Sequence, residues 1–377
     1  TSLSPESPYQ SIDQIEPEEI IHLRTGLKVS EAELLNLLAP SRIIYVGEAH
    51  DSLADHRVQL KILKGLLARF PGKIAVGMEM FRRSSQGKLD LWTQGKLSDK
   101  EFLKIWYEDW RHDDGYYKEL LQFIQENHIP VIALRPSAEM SFKMQDKGVD
   151  GLSLNDKKKL PEIDKGDVYH REALQAIFKG HGAGADQFDS FYNMMLFWDE
   201  TMAESVVNFL NSPEGEEKIM VVFAGGFHVG YGFGIPRRVF RRLPVPYQIV
   251  IPNAQDFPEG KKMQNVTPVE LPLPLADFVW GIGYQALEEK KVRLGVFIEK
   301  FQSGARVTDV FPGSVADVAG IQAGDIIASF DDQPISDLFD LTYAVQQKKP
   351  GDKVWINLIR NGEAIKTEAV MKGSKHP

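Results

Sequence analysis

Short, unbroken apolar runs recur along this chain, and helical patterns separate most of them. The runs near 43–46, 73–80, 130–134, 218–224 and 247–251 are rich in Ile, Val, Ala and Met and show no alternating polar face. Runs of this kind read as strands buried on both sides, as in a parallel sheet covered by helices. After the first run, Leu53, Leu60, Ile62, Leu63, Leu66 and Leu67 form a helical stripe that Pro71-Gly72 ends. Strand, helix and strand make one βαβ unit, which implies parallel pairing. Ser30 is placed to cap a helix over 30–38, and Ser52 or Asp51 to cap the helix after the first strand.

A helix-rich insert follows, with helical spacing at 84–92, 98–107 and 116–127. The lysine- and glycine-rich stretch 144–166 reads as an excursion or lid. Helical spacing resumes at 168–178, breaks at the glycines around His181, and returns in a long helix over 187–210. Large apolar residues from Phe188 to Phe209 imply burial of that helix on more than one face. His181 itself reads as a loop residue. Pro236 sits near the first position of the helix between the last two strands. The expected fold class is α/β: a mostly parallel sheet with flanking helices and a helical subdomain, then a small β-rich unit.

Chemistry-bearing residues gather at strand ends. The first run closes on Gly47-Glu48-Ala49-His50-Asp51, the second on Glu79, and the run at 218–224 on Gly225-Gly226-Phe227-His228. In parallel sheets, sites collect beyond the carboxyl ends of the strands, so the three termini point to one site. Glu48, His50, Glu79 and His228 are the residue types of a two-histidine, carboxylate metal centre for Zn, Mn or Fe. The same residues can act without metal, with an imidazole as general base held by a carboxylate. Asp51 orients His50 or caps the next helix. His56 lies on that helix and faces either the site or solvent, the site being the reading preferred. Asp199, beside Trp198, reads as a buried acid that needs a partner, with support of a site histidine as its use. If the set binds metal, His50→Ala or His228→Ala is expected to remove metal and turnover while the fold survives.

Composition narrows the classes. With 44 basic and 53 acidic residues in 377, the net charge is −9, and no basic stripe with interleaved aromatics suggests nucleic acid. Arg237-Arg238 and Arg241-Arg242 either meet an anion near the site or lie on a helix surface. The absence of cysteine excludes disulfides, thiolate nucleophiles and Cys-ligated metals. No stretch approaches the roughly 20 apolar residues of a membrane span. The numbering begins at Thr1 rather than at a methionine, consistent with a removed signal.

Past 252 the pattern changes. Prolines recur at 252, 258, 268, 272 and 274, which reads as a semi-rigid linker over 253–288. Short strands then follow at 294–301, 305–310, 325–330, 353–360 and 364–370, with a hairpin turn at Asn361-Gly362. The expected divisions are a tail over 1–30, an α/β domain over 31–252, the linker, and a terminal module over 289–373.

The segment from Val310-Phe311-Pro312-Gly313 through Ala323-Gly324-Asp325-Ile326-Ile327 resembles the central signature of bacterial PDZ domains. The resemblance implies capture of a partner's C-terminus by strand addition. It assigns the carboxylate-binding loop to Arg293, Leu294, Gly295 and Val296, and the facing helix wall to Leu341 and Tyr343.

A second resemblance covers about 34–252. Gly47-Glu48-Ala49-His50-Asp51 with His56 and Gln59, Glu79-Met80-Phe81, Trp198-Asp199-Glu200-Thr201-Met202-Ala203, Ala224-Gly225-Gly226-Phe227-His228 and Gly234-Ile235-Pro236 look like the ChaN family, haem-binding envelope proteins of the wider Tiki superfamily. It implies an α/β core under a helical subdomain, and haems paired across a homodimer in at least some members. It also implies a shared site of two Gly-x-x-His turns and a Glu, which relatives use for peptide or ester cleavage. The family is associated with tyrosine ligation of haem. Tyr107, Tyr116, Tyr117, Tyr169 and Tyr192 are candidates only by position in the helical excursion, and the ligand stays unknown. Trp106, Trp110 and the Met/Phe stripe at 191–202 read as core, with a haem pocket as the alternative. Two functions follow. One is a haem or iron binder in the cell envelope, periplasmic or lipid-anchored, docked through its PDZ module. The other is a metal-dependent or histidine-base hydrolase. The first is adopted.

Overall fold

The computed structural model describes residues 12–110, 112–149, 151–180, 187–254, 256–258, 271–287, 292–302 and 304–373. The chain forms two compact units, Thr1–Leu287 and Glu288–Pro377.

The strands of the first unit are β1 (Ile20–His22), β2 (Leu27–Val29), β3 (Ile43–Glu48), β4 (Ile74–Arg82), β5 (Val131–Arg135), β6 (Ile219–Gly225), β7 (Tyr247–Ala254) and β8 (Phe278–Ile282). They form one sheet in the order β2-β1-β8-β7-β3-β6-β4-β5. From β8 to β5 every pairing is parallel; β1 runs antiparallel to both β8 and β2. The helices are α1 (Glu31–Leu38), α2 (Leu53–Arg69), α3 (Gln86–Thr93), α4 (Asp99–Asp109), α5 (Lys118–Glu126), α6 (Ala138–Lys147), α7 (Leu154–Lys157), α8 (Val168–Gly180), α9 (Phe188–Leu210), α10 (Gly226–Val229) and α11 (Ile235–Arg242). Ser30 and Ser98 open α1 and α4 with reciprocal capping bonds to Glu33 and Glu101.

The unbroken apolar runs have a simple cause. Successive strand side chains point to opposite faces, and both faces are covered. Ile44, Val46, Val76, Met78, Val221 and Phe223 pack on one side against α2, α4 and α5. Ile43, Tyr45, Ala75, Met220, Val222 and Ala224 pack on the other against α9 and α11. The long helix α9 also holds the helical excursion, through Leu174, Phe188, Tyr192 and Leu196 on one flank and Met144, Leu152 and Phe197 on another. The expected lid over 144–166 therefore includes the end of α6 and all of α7.

Two expectations change. The stretch expected as linker contains β8, whose Phe278, Val279 and Trp280 are buried between β7 and β1. The stretch expected as tail supplies β1 and β2. The prolines precede β8 and none enters it, so the composition that suggested a linker marks only its approach. The tail's 1–11 and the linker's 259–270 lie outside the described residues, as does His181.

The second unit contains β9 (Val296–Lys300), β10 (Ala305–Val310), β11 (Ile326–Phe330), β12 (Gln333–Pro334), β13 (Lys353–Arg360) and β14 (Glu363–Val370), with helices α12 (Val315–Val318) and α13 (Leu338–Gln346). Its antiparallel sheet runs β14-β13-β11-β10-β9, with β12 on β11. Val307, Ile327, Phe330, Leu341, Ala344, Ile356 and Leu358 fill its core.

Candidate functional site

Glu48, the last residue of β3, is the most heavily bonded acid of the site. Its carboxylate receives Nδ1 of His50 at 2.7 Å, Nε2 of Gln59 at 2.6 Å and the Tyr117 hydroxyl at 2.5 Å. The His56 ring stands 3.6 Å away and lies tilted against the Tyr117 ring at 3.9 Å. Burial pushes this carboxyl up; the imidazoles of His56 and His50 and the Tyr117 hydroxyl together outweigh it, so it titrates below its ordinary range. Sequence reasoning offered Asp51 as the orienter of His50. The structure gives that role to Glu48.

A second chain of bonds starts on the neighbouring strands. Glu79 accepts the Gly225 amide at 2.7 Å and lies 3.5 Å from His228 Nε2. His228 Nδ1 meets Asp199 at 2.6 Å, and the far oxygen of Asp199 lies 3.8 Å from His170. Burial works against the His228 imidazolium, yet Glu79 and Asp199 prevail and its pKa is raised to about 10. Burial also opposes the charge on Glu79, but the two histidines hold it far below the carboxylate range. His170 goes the other way: burial lowers it to about 4. Asp199, a buried acid, has His228 as its hydrogen-bond partner.

The two chains meet at Gly225. A Cβ there would lie 2.9 Å from the His50 ring and 3.5 Å from Glu79, so only glycine lets the imidazole cross the end of β6. The sheet therefore brings Glu48, His50, Glu79 and His228 together, but as pairs. Both nitrogens of His228 face carboxylates. Among the described residues no three His, Asp or Glu side chains are gathered as a metal-binding set, so the metal centre drawn from the sequence does not fit this arrangement. His50 differs from its neighbours. Its side chain is 31% exposed, and Trp110 at 4.8 Å and His112 at 5.7 Å flank its ring. With Nδ1 on Glu48, Nε2 is the nitrogen left for chemistry. Its pKa is raised: burial opposes the charge, and the Glu48 bond and Glu79 outweigh it.

The arginines after His228 meet an anion of the chain's own. Buried Glu200 is contacted by Arg242 at 2.7 Å, Arg238 at 3.2 Å and Arg241 at 3.3 Å. Three guanidiniums repay the desolvation of one carboxylate.

The tyrosines sort by exposure. Tyr117 and Tyr192 are buried, Tyr117 being committed to Glu48. Tyr107 and Tyr116 are half-buried, and Tyr116 lines a small cleft against α2. Tyr169 is 43% exposed and lines a groove that sequence reasoning did not anticipate. Two adjoining cavities, about 320 and 470 Å³, meet at Tyr231, Gly232, Phe240, Tyr247 and Leu273. Arg24, Arg237 and Arg241 stand along it. Tyr231 has φ +56°, an uncommon backbone state for a residue with a side chain. No local signal marks this groove, because α11, β7 and 272–277 build it from separate stretches.

The description "Haem-binding uptake, Tiki superfamily, ChaN" matches residues 34–239, more than half of the chain. The chain belongs to the ChaN family. Its ChaN domain is similar in fold to the structure titled "Cofacial heme binding to ChaN of Campylobacter jejuni", with TM-score 0.51 and 16% identity over 69% of this chain and 95% of that one. Residues 292–370 match the PDZ domain family. The periplasmic pH-dependent serine endoprotease DegQ of Escherichia coli is 31% identical over 155 residues, 41% of this chain and 29% of DegQ. The periplasmic serine endoprotease DegP of Salmonella typhimurium is 44% identical over 64 residues, 17% of this chain and 14% of DegP. This chain thus spans less than a third of either relative.

In the PDZ domain, Arg293 is exposed and Leu294 buried, ahead of Gly295 and Val296 at the start of β9. Leu341 lies in the core at 2% exposure, whereas Tyr343 is half-buried and packs on Phe339 at 5.7 Å. Of the two residues assigned to the helix wall, Tyr343 alone retains a solvent-facing part.

Proposed function

We propose that this protein binds haem in the cell envelope, in the manner of its family, and that its PDZ domain captures the C-terminus of a partner. The tyrosine-lined groove of the ChaN domain is the observation that carries the haem reading. Its size falls in the range of small-ligand sites, and aromatic and aliphatic side chains dominate its walls. Of the side chains that commonly ligate haem iron, its described lining contains tyrosine and no histidine, cysteine or methionine. Tyr231, with Tyr169 and Tyr247 nearby, would hold the iron, and Phe240 and Leu273 would flank the macrocycle. Each arginine of the rim already shares a carboxylate, Arg24 with Asp277 and Arg237 and Arg241 with Asp164. A haem propionate would join those pairs rather than meet a bare cation. Haem would be the cargo here. A homodimer with paired haems belongs to the same proposal, as does a periplasmic or lipid-anchored location, which the periplasmic relatives of the PDZ domain support.

A haem titration of the intact protein, followed by the Soret band, tests this reading. We expect a saturable band of defined stoichiometry that Tyr231→Phe shifts or weakens. A free-haem spectrum at every ratio refutes it.

The geometry of His50 favours a second reading. A partly exposed histidine held through one nitrogen by a buried carboxylate is arranged to take a proton from water with the other during ester or peptide hydrolysis. Hydrolysis of p-nitrophenyl acetate at a rate that His50→Gln abolishes would support it, and equal rates would remove it.

A further inference from the structure

The open side of β9 carries an aromatic pair that the core does not use. Among the described residues β9 is an edge strand, with β10 on one side. Its Val296 and Ile298 pack toward the domain core, so Phe297, between them, points to the opposite face. Phe297 is 51% exposed and stacks at 5.1 Å on Phe311, itself 55% exposed.

Phe311 is held there by the backbone. The carbonyl of Gly295 accepts the Phe311 amide at 3.0 Å and the Ser314 hydroxyl at 3.3 Å. Gly295 has φ +82°, and a Cβ on it would lie 2.3 Å from Ser314. The loop over 311–314 is therefore pinned to the residue just before β9.

The register decides what these rings can meet. A peptide whose terminal carboxylate sits at the loop over 293–295, and which adds to β9, must run antiparallel to it. Residues directly opposite in an antiparallel pair share a face. The last residue then lies with Val296 on the inward face, and the second-to-last lies with Phe297 on the outward face. We infer that Phe297 and Phe311 select an aromatic residue at the second-to-last position of the captured C-terminus. This rests on the peptide-capture reading of the PDZ domain.

Two fluorescein-labelled peptides that end in valine and differ only in Trp or Ser at the second-to-last position test it. A third, with Trp and an amidated end, is the control. Anisotropy titrations with the intact protein should give the Trp peptide about 3- to 10-fold tighter binding than the Ser peptide. Phe297→Ser, an exposed change, should erase that ratio by bringing the Trp peptide's affinity down to that of the Ser peptide on the same variant; Phe311→Ser should reduce it. Equal binding of the Trp and Ser peptides to wild type, both above the amidated control, would overturn the selectivity and leave peptide capture standing. Binding of the Trp and Ser peptides no better than that of the amidated control would overturn both.

Discussion

The strand-end cluster and the groove of the ChaN domain use polar and aromatic side chains in opposite ways. In the cluster, the buried acids Glu48, Glu79 and Asp199 and the imidazoles are committed to one another. In the groove, Tyr231, Phe240 and Tyr247 face a space of several hundred Å³. A cluster of that kind specifies the fold around it, because each member left alone is a buried charge. A groove of that kind is nearly neutral to the fold and free to take a ligand. His50 is the exception inside the cluster, which is why it alone carries the hydrolytic reading.

The largest effect should come from breaking the charged chain. His228→Ala leaves Glu79 and Asp199 buried without their imidazolium, and we expect a loss of about 3 to 5 kcal/mol in urea unfolding. This departs from the sequence expectation that both histidines can be removed with the fold intact. A midpoint unchanged from wild type would erase the contrast between the two regions.

Asp55 gives the next effect, as a pH dependence. Its carboxylate accepts the Ala49 amide at 2.9 Å, but burial raises its pKa from 3.8 to about 7. The folded state therefore holds a proton that the unfolded chain releases, so this group's contribution to stability falls as pH rises from about 4 to 7. At about 1.4 kcal/mol per unit, the drop is on the order of 4 kcal/mol. Asp55→Asn should match wild type near pH 4 and exceed it near pH 8, as read by thermal unfolding. Parallel curves across that range would show that the carboxyl titrates normally.

Gly225→Ala should cost less, about 1 to 3 kcal/mol, because the new methyl drives the His50 ring off Glu48. The His50 ring resonances should move with it, and unmoved resonances would count against the packing described. Smallest is Tyr231→Phe, which should stay within about 0.5 kcal/mol of wild type in stability. A large destabilisation would make the groove structural and sharpen the likeness between the regions instead of the contrast.

The sequence disclosed what short stretches encode. Strands buried on both faces leave apolar runs, and strand ends carry Glu48, His50, Glu79 and His228 in recognisable turns. It concealed what separate stretches build together. The closure of Arg238, Arg241 and Arg242 on Glu200 joins positions some forty residues apart. Tyr231 has no signature until α11, β7 and 272–277 assemble around it. β8 was hidden for a related reason: five residues behind a run of prolines offer little periodicity, and their burial comes from β1 and β7.

That pairing of β1 with β8 has a consequence for synthesis. A chain made from its amino end produces Ile20–His22 long before Phe278–Ile282, the strand to which they bind. While the ribosome adds the intervening residues, β1 has only β2 beside it and β7 has an open outer edge. The sheet can be sealed only when Ile282 has left the exit tunnel, and the PDZ domain emerges afterwards. A nascent chain arrested before Phe278 would thus carry the whole strand-end cluster on a sheet with an unsealed seam.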